Sequence, residues 1–420
     1  MRTYLAARAA CIVFLFSGSA AAAVSEEEFA QLRAEMLRLA ERVGVLEEEN
    51  RELRQVAEAT VSEVQLARTE AQEAGRTVEE WAPGTTFSGD FRYRYEEIDV
   101  ESRDIRSRHR LRARFGAVAR LSNDVEIGLR LAAGSESPVS GNTTLGSGGT
   151  SKDLYLDQAY AKWRPFNGAY VTAGKMKNNF YRPGGAGLAW DSDYTPEGLA
   201  FGWSGEQLFI NAAAIGLESD SRRDNHTFYY GLQGGARLPV GDTVSITAGA
   251  AYFDVPVQGE SSFFGDADDF FGNSFNCTDA DNCAYLLDYE ELELFAELTY
   301  SGFAMPLNFY ADYIRNLDAD TYDTGWLAGA RLGKASAAGS WQVGYQYEDV
   351  EADSVLALLR DSNVGGGGSD IQGHKLFGSY AVARDWTVGF TVFVDNDAGE
   401  NRTGSGTDYD RVVFDTIFKY

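Results

Sequence analysis

Residues 408–420 read Asp408-Tyr-Asp-Arg-Val-Val-Phe-Asp-Thr-Ile-Phe-Lys-Tyr420 and close the sequence. Counted in twos, Val412, Phe414, Thr416, Phe418 and Tyr420 form one largely apolar face, and Arg411, Val413, Asp415, Ile417 and Lys419 form a mostly polar one. A period of two with this contrast is a strand with water on one side and lipid or a core on the other. A terminal strand so rich in aromatics frays unless it is tied into a sheet. A closed transmembrane barrel ties its last strand to its first and thereby removes both edges. Hydrocarbon demands this, because unpaired backbone groups there are costly. An edge strand of a soluble sandwich fits the same thirteen residues, so the rest of the chain must decide.

From Thr85 onward, alternating segments run to the end of the chain: 85–97, 107–119, 124–134, 152–163, 168–176, 197–204, 207–217, 227–238, 242–254, 287–300, 305–317, 322–334, 338–349, 372–383, 386–396 and 409–420. The count of about 16 is even, and most segments are close to the length a tilted membrane strand needs. The connections sort by parity. Tight turns at Leu121 to Asn123, Arg164 to Asn167, Gly205-Glu206, Pro239 to Gly241, Gly302 to Ala304, Ala335 to Ala337 and Arg384-Asp385 alternate with long links at 98–106, 135–151, 177–196, 218–226, 255–286, 350–371 and 397–408; Asp318 to Thr321 is the short exception. One rim of turns and one rim of loops is the signature of an all-β transmembrane up-and-down β-barrel of antiparallel strands. A soluble β-protein has no reason to sort loops this way.

The strand faces agree. Arg108, Arg110, Arg112 and Arg114 share one face of the second segment and Leu111, Ala113 and Phe115 the other; Arg92 and Arg94 oppose Phe91, Tyr93 and Tyr95 in the first. Arginine at the bilayer midplane costs about 2–4 kcal/mol, so these side chains are expected to line the lumen. In the tenth segment Glu291, Glu293 and Glu297 share a face opposite Leu292, Leu294, Ala296 and Leu298. Second and tenth strands stand eight apart in a ring of sixteen, which sets a basic wall across from an acidic one.

The N-terminal 1–23 read as a signal peptide: Arg2 and Arg8, a short apolar run from Ala9 to Phe16, then Ala21 to Ala23 before Val24. Residues 24–81 carry an apolar seam spaced three and four, through Phe29, Leu32, Met36, Leu39, Val43, Leu46, Asn50 and Leu53, fading into alanines before Trp81. This is a coiled-coil repeat with a polar Asn50 at the seam, the α-helical coiled coil that precedes the barrel domain 85–420 and supports self-association. An amphipathic helix packed on its own domain is the other reading, and two or three strands both remain open. Trp81-Ala-Pro-Gly84 stops the helix.

Loss of Arg2 and Arg8 with the leader takes the formal charge from −26 to −28, which argues against nucleic acid as a partner. Cys277 and Cys283 are the pair left in the mature chain, in an oxidising compartment, and are expected to form a disulfide. Asp266, Asp268, Asp269, Asp279 and Asp281 surround them, either as a solvated acidic loop or as oxygen ligands for calcium. His109, His226 and His374 lie far apart, no metal-ligand spacing occurs, and no G-x-S-x-G is present. No catalytic constellation, cofactor motif or metal site is expected, and the glycines from Gly365 to Gly368 read as a flexible loop.

Gly174-Lys-Met-Lys-Asn-Asn-Phe-Tyr-Arg-Pro183 and Leu188-Ala-Trp-Asp-Ser-Asp-Tyr-Thr-Pro-Glu-Gly-Leu-Ala200, with Arg108-His-Arg-Leu-Arg-Ala-Arg-Phe-Gly116, Leu129 to Val139 and Leu156-Asp-Gln-Ala-Tyr160, resemble the putative porin family of Gram-negative outer membranes, whose members look like relatives of the large trimeric diffusion porins. The resemblance covers residues 85–420. It implies an outer-membrane barrel among outer-membrane lipid and lipopolysaccharide, a homotrimer, and a C-terminal aromatic residue read by the barrel-insertion machinery, here Tyr420 where phenylalanine is commoner. It also implies that the 177–196 loop enters the lumen, bringing Asp191, Asp193 and Glu197 toward the arginines. The expected function is passive diffusion of small hydrophilic solutes through a water-filled channel, with both termini periplasmic. The opposing class is a structural envelope tether anchored by the barrel.

Overall fold

The computed structural model describes residues 84–219 and 227–420, together with scattered positions between 33 and 65. The signal segment and the seam residues Leu32, Met36, Leu39, Val43, Asn50 and Leu53 lie outside the described residues. Leu46 falls within them and is helical and exposed. Among the described residues no coiled coil is present. The chain divides into two units, Met1–Val78 and Glu79–Tyr420.

The second unit is one antiparallel sheet closed on itself. Its strands are β1 (Thr85–Val100), β2 (Arg106–Arg120), β3 (Val125–Ala133), β4 (Leu154–Trp163), β5 (Ala169–Lys175), β6 (Glu197–Ser204), β7 (Leu208–Glu218), β8 (Thr227–Val240), β9 (Val244–Val255), β10 (Tyr289–Tyr300), β11 (Leu307–Asn316), β12 (Thr324–Gly333), β13 (Trp341–Val350), β14 (Ile371–Ala383), β15 (Trp386–Ala398) and β16 (Thr407–Lys419). Seventeen strands join the sheet among the described residues; one is the two-residue Thr143–Thr144 pairing with β2, so sixteen form the ring. Each strand pairs with its neighbour in sequence, and β1 closes on β16 from Asp90↔Lys419 to Val100↔Tyr409.

The closing strand shows why its sequence suits that seam. Phe414, Phe418 and Tyr420 are exposed on one face while Arg411 and Val413 are buried on the other. Gly89 and Tyr420 exchange backbone hydrogen bonds at 3.0 and 3.2 Å, and the Tyr420 hydroxyl donates to the Arg114 carbonyl at 3.0 Å. The tyrosine reaches that far because position 89 has no side chain: a Cβ there would lie 2.4 Å from the Tyr420 hydroxyl. An aromatic ring covering a bare glycine restores packing that the glycine gives up. Around the ring, Phe91, Leu129, Leu199, Ile210, Leu232, Leu294, Phe309, Trp326, Tyr345 and Phe390 are exposed. Apolar exposure on this scale belongs against lipid.

Turns at 121–124, 164–168, 205–207, 241–243, 301–306, 334–340 and 384–385 occupy one rim, where β1 begins and Tyr420 ends. The other rim carries 101–105, 134–153, 176–196, 256–288, 317–323, 351–370 and 399–406. The first of these is shorter than expected, because β1 continues to Val100 and β2 starts at Arg106. Cys277 and Cys283 are disulfide-bonded across a small hairpin, Phe275–Asp279 with Asn282–Tyr285.

The segment 351–370 corrects the sequence reading. The glycines from Gly365 to Gly368 are not a flexible link but part of a packed segment in which Ala352 to Arg360 are buried. Gly365, Gly366, Gly367 and Gly368 all adopt positive φ, and a Cβ on Gly368 would meet the Phe271 carbonyl at 1.8 Å. Glycine is required there by backbone conformation and by close approach. Asn273, fully buried in the 256–288 loop, holds this segment by donating to the Ala352 and Val355 carbonyls and accepting from Ala357 N–H.

Candidate functional site: the inner face of the barrel

On β1 and β2 burial alternates with side-chain parity. Arg92, Arg94 and Arg112 are buried, while Phe91, Tyr93 and Phe115 are exposed. The register sets Arg92 opposite Arg112 and Arg94 opposite Arg110, like charges that destabilise a sheet unless anions stand between them. Those anions are present. Arg94 makes a bidentate pair with Asp415 of β16 at 2.8 Å, and Arg108 pairs with Glu96 at 2.6 Å, while Arg110 lies 3.6 Å from the same carboxylate. Arg411 also donates to Glu96. Arg112 and Arg114 share Asp90 at 2.9 and 2.7 Å. The remaining anion comes from a loop: Asp193 lies 2.8 Å from Arg112, 3.4 Å from Arg114 and 3.9 Å from Arg92. Arg92, Arg94, Arg108, Arg110, Arg112, Arg114 and Arg411 thus meet Asp90, Glu96, Asp193 and Asp415, and the cluster keeps a net positive charge.

Glu291, Glu293 and Glu297 share the inner face of β10, and two of them, Glu291 and Glu297, bind loops. Glu297 accepts from the Tyr181 hydroxyl at 2.5 Å, Gly184 N–H at 2.8 Å and Asn308 at 2.7 Å. Glu291 accepts from Leu356 N–H at 2.8 Å, and Gln233 donates to Glu293 at 3.4 Å. On β11, Asp312 accepts from Leu188 N–H at 3.3 Å. The 176–196 segment therefore touches the acidic wall at Tyr181, Gly184 and Leu188 and the basic one at Asp193. Sequence reasoning set the two walls facing each other; the inward segments occupy the space between them.

Two further placements differ among the expected residues. Glu197 heads β6 on the parity of exposed Leu199, with its side chain exposed and 2.7 Å from Lys175, apart from the arginines. Asp191 is buried and makes no ion pair among the described residues. It accepts from Asp193 N–H at 2.6 Å and Ser362 N–H at 3.2 Å, and its own N–H donates to the Leu359 carbonyl. Burial, with the Asp361 and Asp193 carboxylates beside it, pushes the Asp191 pKa up to about 7. Burial acts on Asp193 too, but Arg112, Arg92 and Arg114 outweigh it and hold that carboxyl below its usual value. The calcium reading gains no geometry. Asp266 N–H bonds Asp269, Asp279 closes the hairpin with Asn282, and among the described residues no group of three or more such side chains converges on a metal site.

Sequence reasoning missed the residues that lock the loops together. Arg360, 1% exposed, donates to the Leu188 carbonyl at 2.9 Å and to Glu348 at 2.8 Å, joining 351–370 to 176–196 and to β13. Around it an apolar cluster includes Trp190, Tyr194, Tyr229, Leu356 and Leu359. Trp190 stacks on Phe180, Tyr194 and Tyr229 with centroids 5.3–5.8 Å apart. Arg360 offered no strand parity to read.

Among the described residues, three cavities beside the 176–196 segment bear on the site. The smallest, about 160 Å³, is lined by Arg92, Arg94, Arg182 and Lys375 as well as Asp191, Asp193 and Asp361. A second of about 420 Å³ lies between the 134–153 and 176–196 segments. The third, about 600 Å³, shares Arg182 and Gly185 with the smallest and reaches toward the turns through Ser204 and Arg237.

The family described as "Putative porin" matches residues 99–277 and 280–399. Among solved structures, OprB of Pseudomonas putida aligns with a TM-score of 0.55 at 12% identity, over 82% of this chain and 96% of that one. A loop-deletion form of Vibrio cholerae OmpT aligns at 0.47 with 13% identity, over 80% and 99%. A mutant of the Rh. blastica porin aligns at 0.45 with 13% identity, over 80% and 100%. No curated protein matches the sequence. The fold is that of a sixteen-stranded outer-membrane barrel and, with well over half of its residues matched, the chain belongs to the family described as "Putative porin".

Proposed function

We propose that this barrel conducts small hydrophilic solutes across the outer membrane by passive diffusion, through a lumen narrowed by the 176–196 and 351–370 segments. The observation that carries the reading is the 160 Å³ cavity, a space that water can occupy and that cationic and anionic side chains line together. Closely spaced charges of both signs order water and favour dipolar solutes over apolar ones. Arg92 and Arg94 line it, with Arg108, Arg110, Arg112 and Arg114 beside them in the same basic wall; Asp191 and Asp193 line it too, Glu291 and Glu297 hold the loops that shape it, and Glu293 stands between those two on the acidic wall. Liposome swelling with sugars of graded size tests this: entry is expected for the smallest and exclusion for larger ones. Equal exclusion of all sugars by folded protein refutes it.

The heptad seam of 24–81 supports self-association, with a trimer the assembly that suits a diffusion porin; the even strand count returns the chain to its starting side, and the leader and stalk that precede the barrel make the periplasmic side the reading for both ends. Mass measurement of detergent-extracted protein checks the first, and a monomer at every concentration overturns it. The second reading, a tether anchored by a plugged barrel, is favoured by the apolar packing of Trp190, Leu356 and Leu359 inside the ring. Such a plug excludes sugars of every size, so the swelling assay separates the two.

A further inference from the structure

We infer that the 600 Å³ cavity is a binding subsite for small organic anions with an aromatic body, reached from the turn rim. This rests on the porin reading only for the solute's route; binding itself is measured apart from conduction. The cavity's cations are Arg130, Lys162, Lys177, Arg182 and Arg237, and no carboxylate lines it. Two of the five are already neutralised: Arg130 pairs with Asp157, and Lys162 lies 3.8 Å from Glu126. Lys177, Arg182 and Arg237 make no ion pair among the described residues. Arg237 donates to Ser204 Oγ at 3.0 Å, and Arg182 to the Trp190 carbonyl at 3.3 Å, both neutral acceptors. Arg182 also feels Asp191, Asp361 and Asp193 from the neighbouring cavity, beyond ion-pair distance.

Unpaired cations in a protein of formal charge −26 are a local exception, since the chain has acidic residues in excess to neutralise them. Two residues of the same wall carry buried polar atoms without a hydrogen-bond partner among the described residues. Thr172, 3% exposed, leaves Oγ1 unpartnered, and Asn178 leaves Nδ2 unpartnered. An anion in the cavity accepts from the cations that lack an ion pair, Lys177, Arg182 and Arg237.

The walls account for the aromatic half of the ligand. Tyr160, Tyr170, Tyr181, Trp203 and Phe209 line the space. Tyr160 and Tyr170 lie over Gly128 and Gly202, where an added Cβ would sit 2.3 and 2.2 Å from their rings. The rings are thus laid along the wall, with the Lys162 ammonium over them, 5.8 Å from the Tyr160 centroid and 4.9 Å from that of Tyr170. The Arg237 guanidinium is stacked 4.5 Å from the Phe209 centroid, leaving its other face for a planar ligand. A volume of this size falls among pockets that hold one small molecule.

Isothermal titration of the full-length, detergent-extracted protein with benzoate, benzamide and inorganic phosphate tests the assignment. Benzoate is expected to bind saturably and at least about tenfold more tightly than either comparison compound, because each lacks one recognised half. Lys177→Gln with Arg237→Gln should weaken benzoate by about tenfold or more while heat-modifiable gel mobility stays that of a folded barrel. Benzamide binding as well as benzoate, phosphate binding as well as benzoate, no saturable benzoate binding, or unchanged affinity in the folded double variant each overturns the assignment. Benzoate binding to a protein that passes no solute refutes the channel and leaves the subsite standing; conduction without benzoate binding does the reverse.

Discussion

Asp193→Asn removes the one loop carboxylate that reaches three arginines of the basic wall. The side chain is 14% exposed and lies 2.8 Å from Arg112. At that distance and an effective dielectric of about 20, a single charge pair is worth about 6 kcal/mol before desolvation. Breaking a buried pair and leaving its cation uncompensated costs about 3–5 kcal/mol net. The loss falls on docking of the 176–196 segment, since the barrel's own ladders do not involve this residue. Amide hydrogen exchange at Asp191 to Tyr194 should therefore lose protection by about 100-fold or more. The wall also gains one uncompensated positive charge, so the reversal potential in a salt gradient should move toward anion preference. Unchanged exchange and unchanged reversal potential in folded protein would refute the role given to Asp193.

Asp191 should make the contact between the two inward segments sensitive to pH. Its folded value of about 7 lies above that of an unfolded aspartate, near 3.9, so the folded state keeps a proton that the unfolded chain releases. Docking stability then falls as pH rises from about 4 until the folded value is passed. Protection at Ser362 N–H, corrected for intrinsic exchange, should be higher at pH 5 than at pH 8; an equal loss in Asp191→Asn would assign the effect elsewhere. Arg360→Met leaves Glu348 buried without its cation and should release the 351–370 segment at a cost of about 3–5 kcal/mol, raising single-channel conductance. Unchanged conductance in that variant would place the narrowing elsewhere. Cys277→Ser with Cys283→Ser removes a closed loop worth about 2 kcal/mol by chain entropy. Proteolysis should speed up within 275–285 while the barrel's thermal midpoint stays put, because the hairpin is outside the ring; a lowered midpoint would tie the hairpin to barrel stability.

The parts of this structure that repeat every two residues were legible in the sequence. Phe414, Phe418 and Tyr420 lie on the outer face as their spacing required, and the arginines of β1 and β2 lie on the inner face for the same reason. Asp312 was equally accessible, since it alternates with Tyr313 on β11, and a fuller parity reading would have found it. The 351–370 segment was not. Its glycines carry the composition of a linker, and only the approach of Phe271 and the grip of Asn273 make them a packed turn. Lys177, Arg182 and Arg237 come from a loop and a distant strand, so nothing local marks them as neighbours. The heptad seam lies mostly outside the described residues.

Whether solutes pass through the lumen is tested most directly by single-channel recording of the full-length protein in a planar bilayer. The expected result is discrete, ohmic conductance steps of small size, which increase in Arg360→Met as the inward segments loosen. A folded, membrane-inserted barrel that carries no current in either form would contradict the channel and leave the anchor reading in its place.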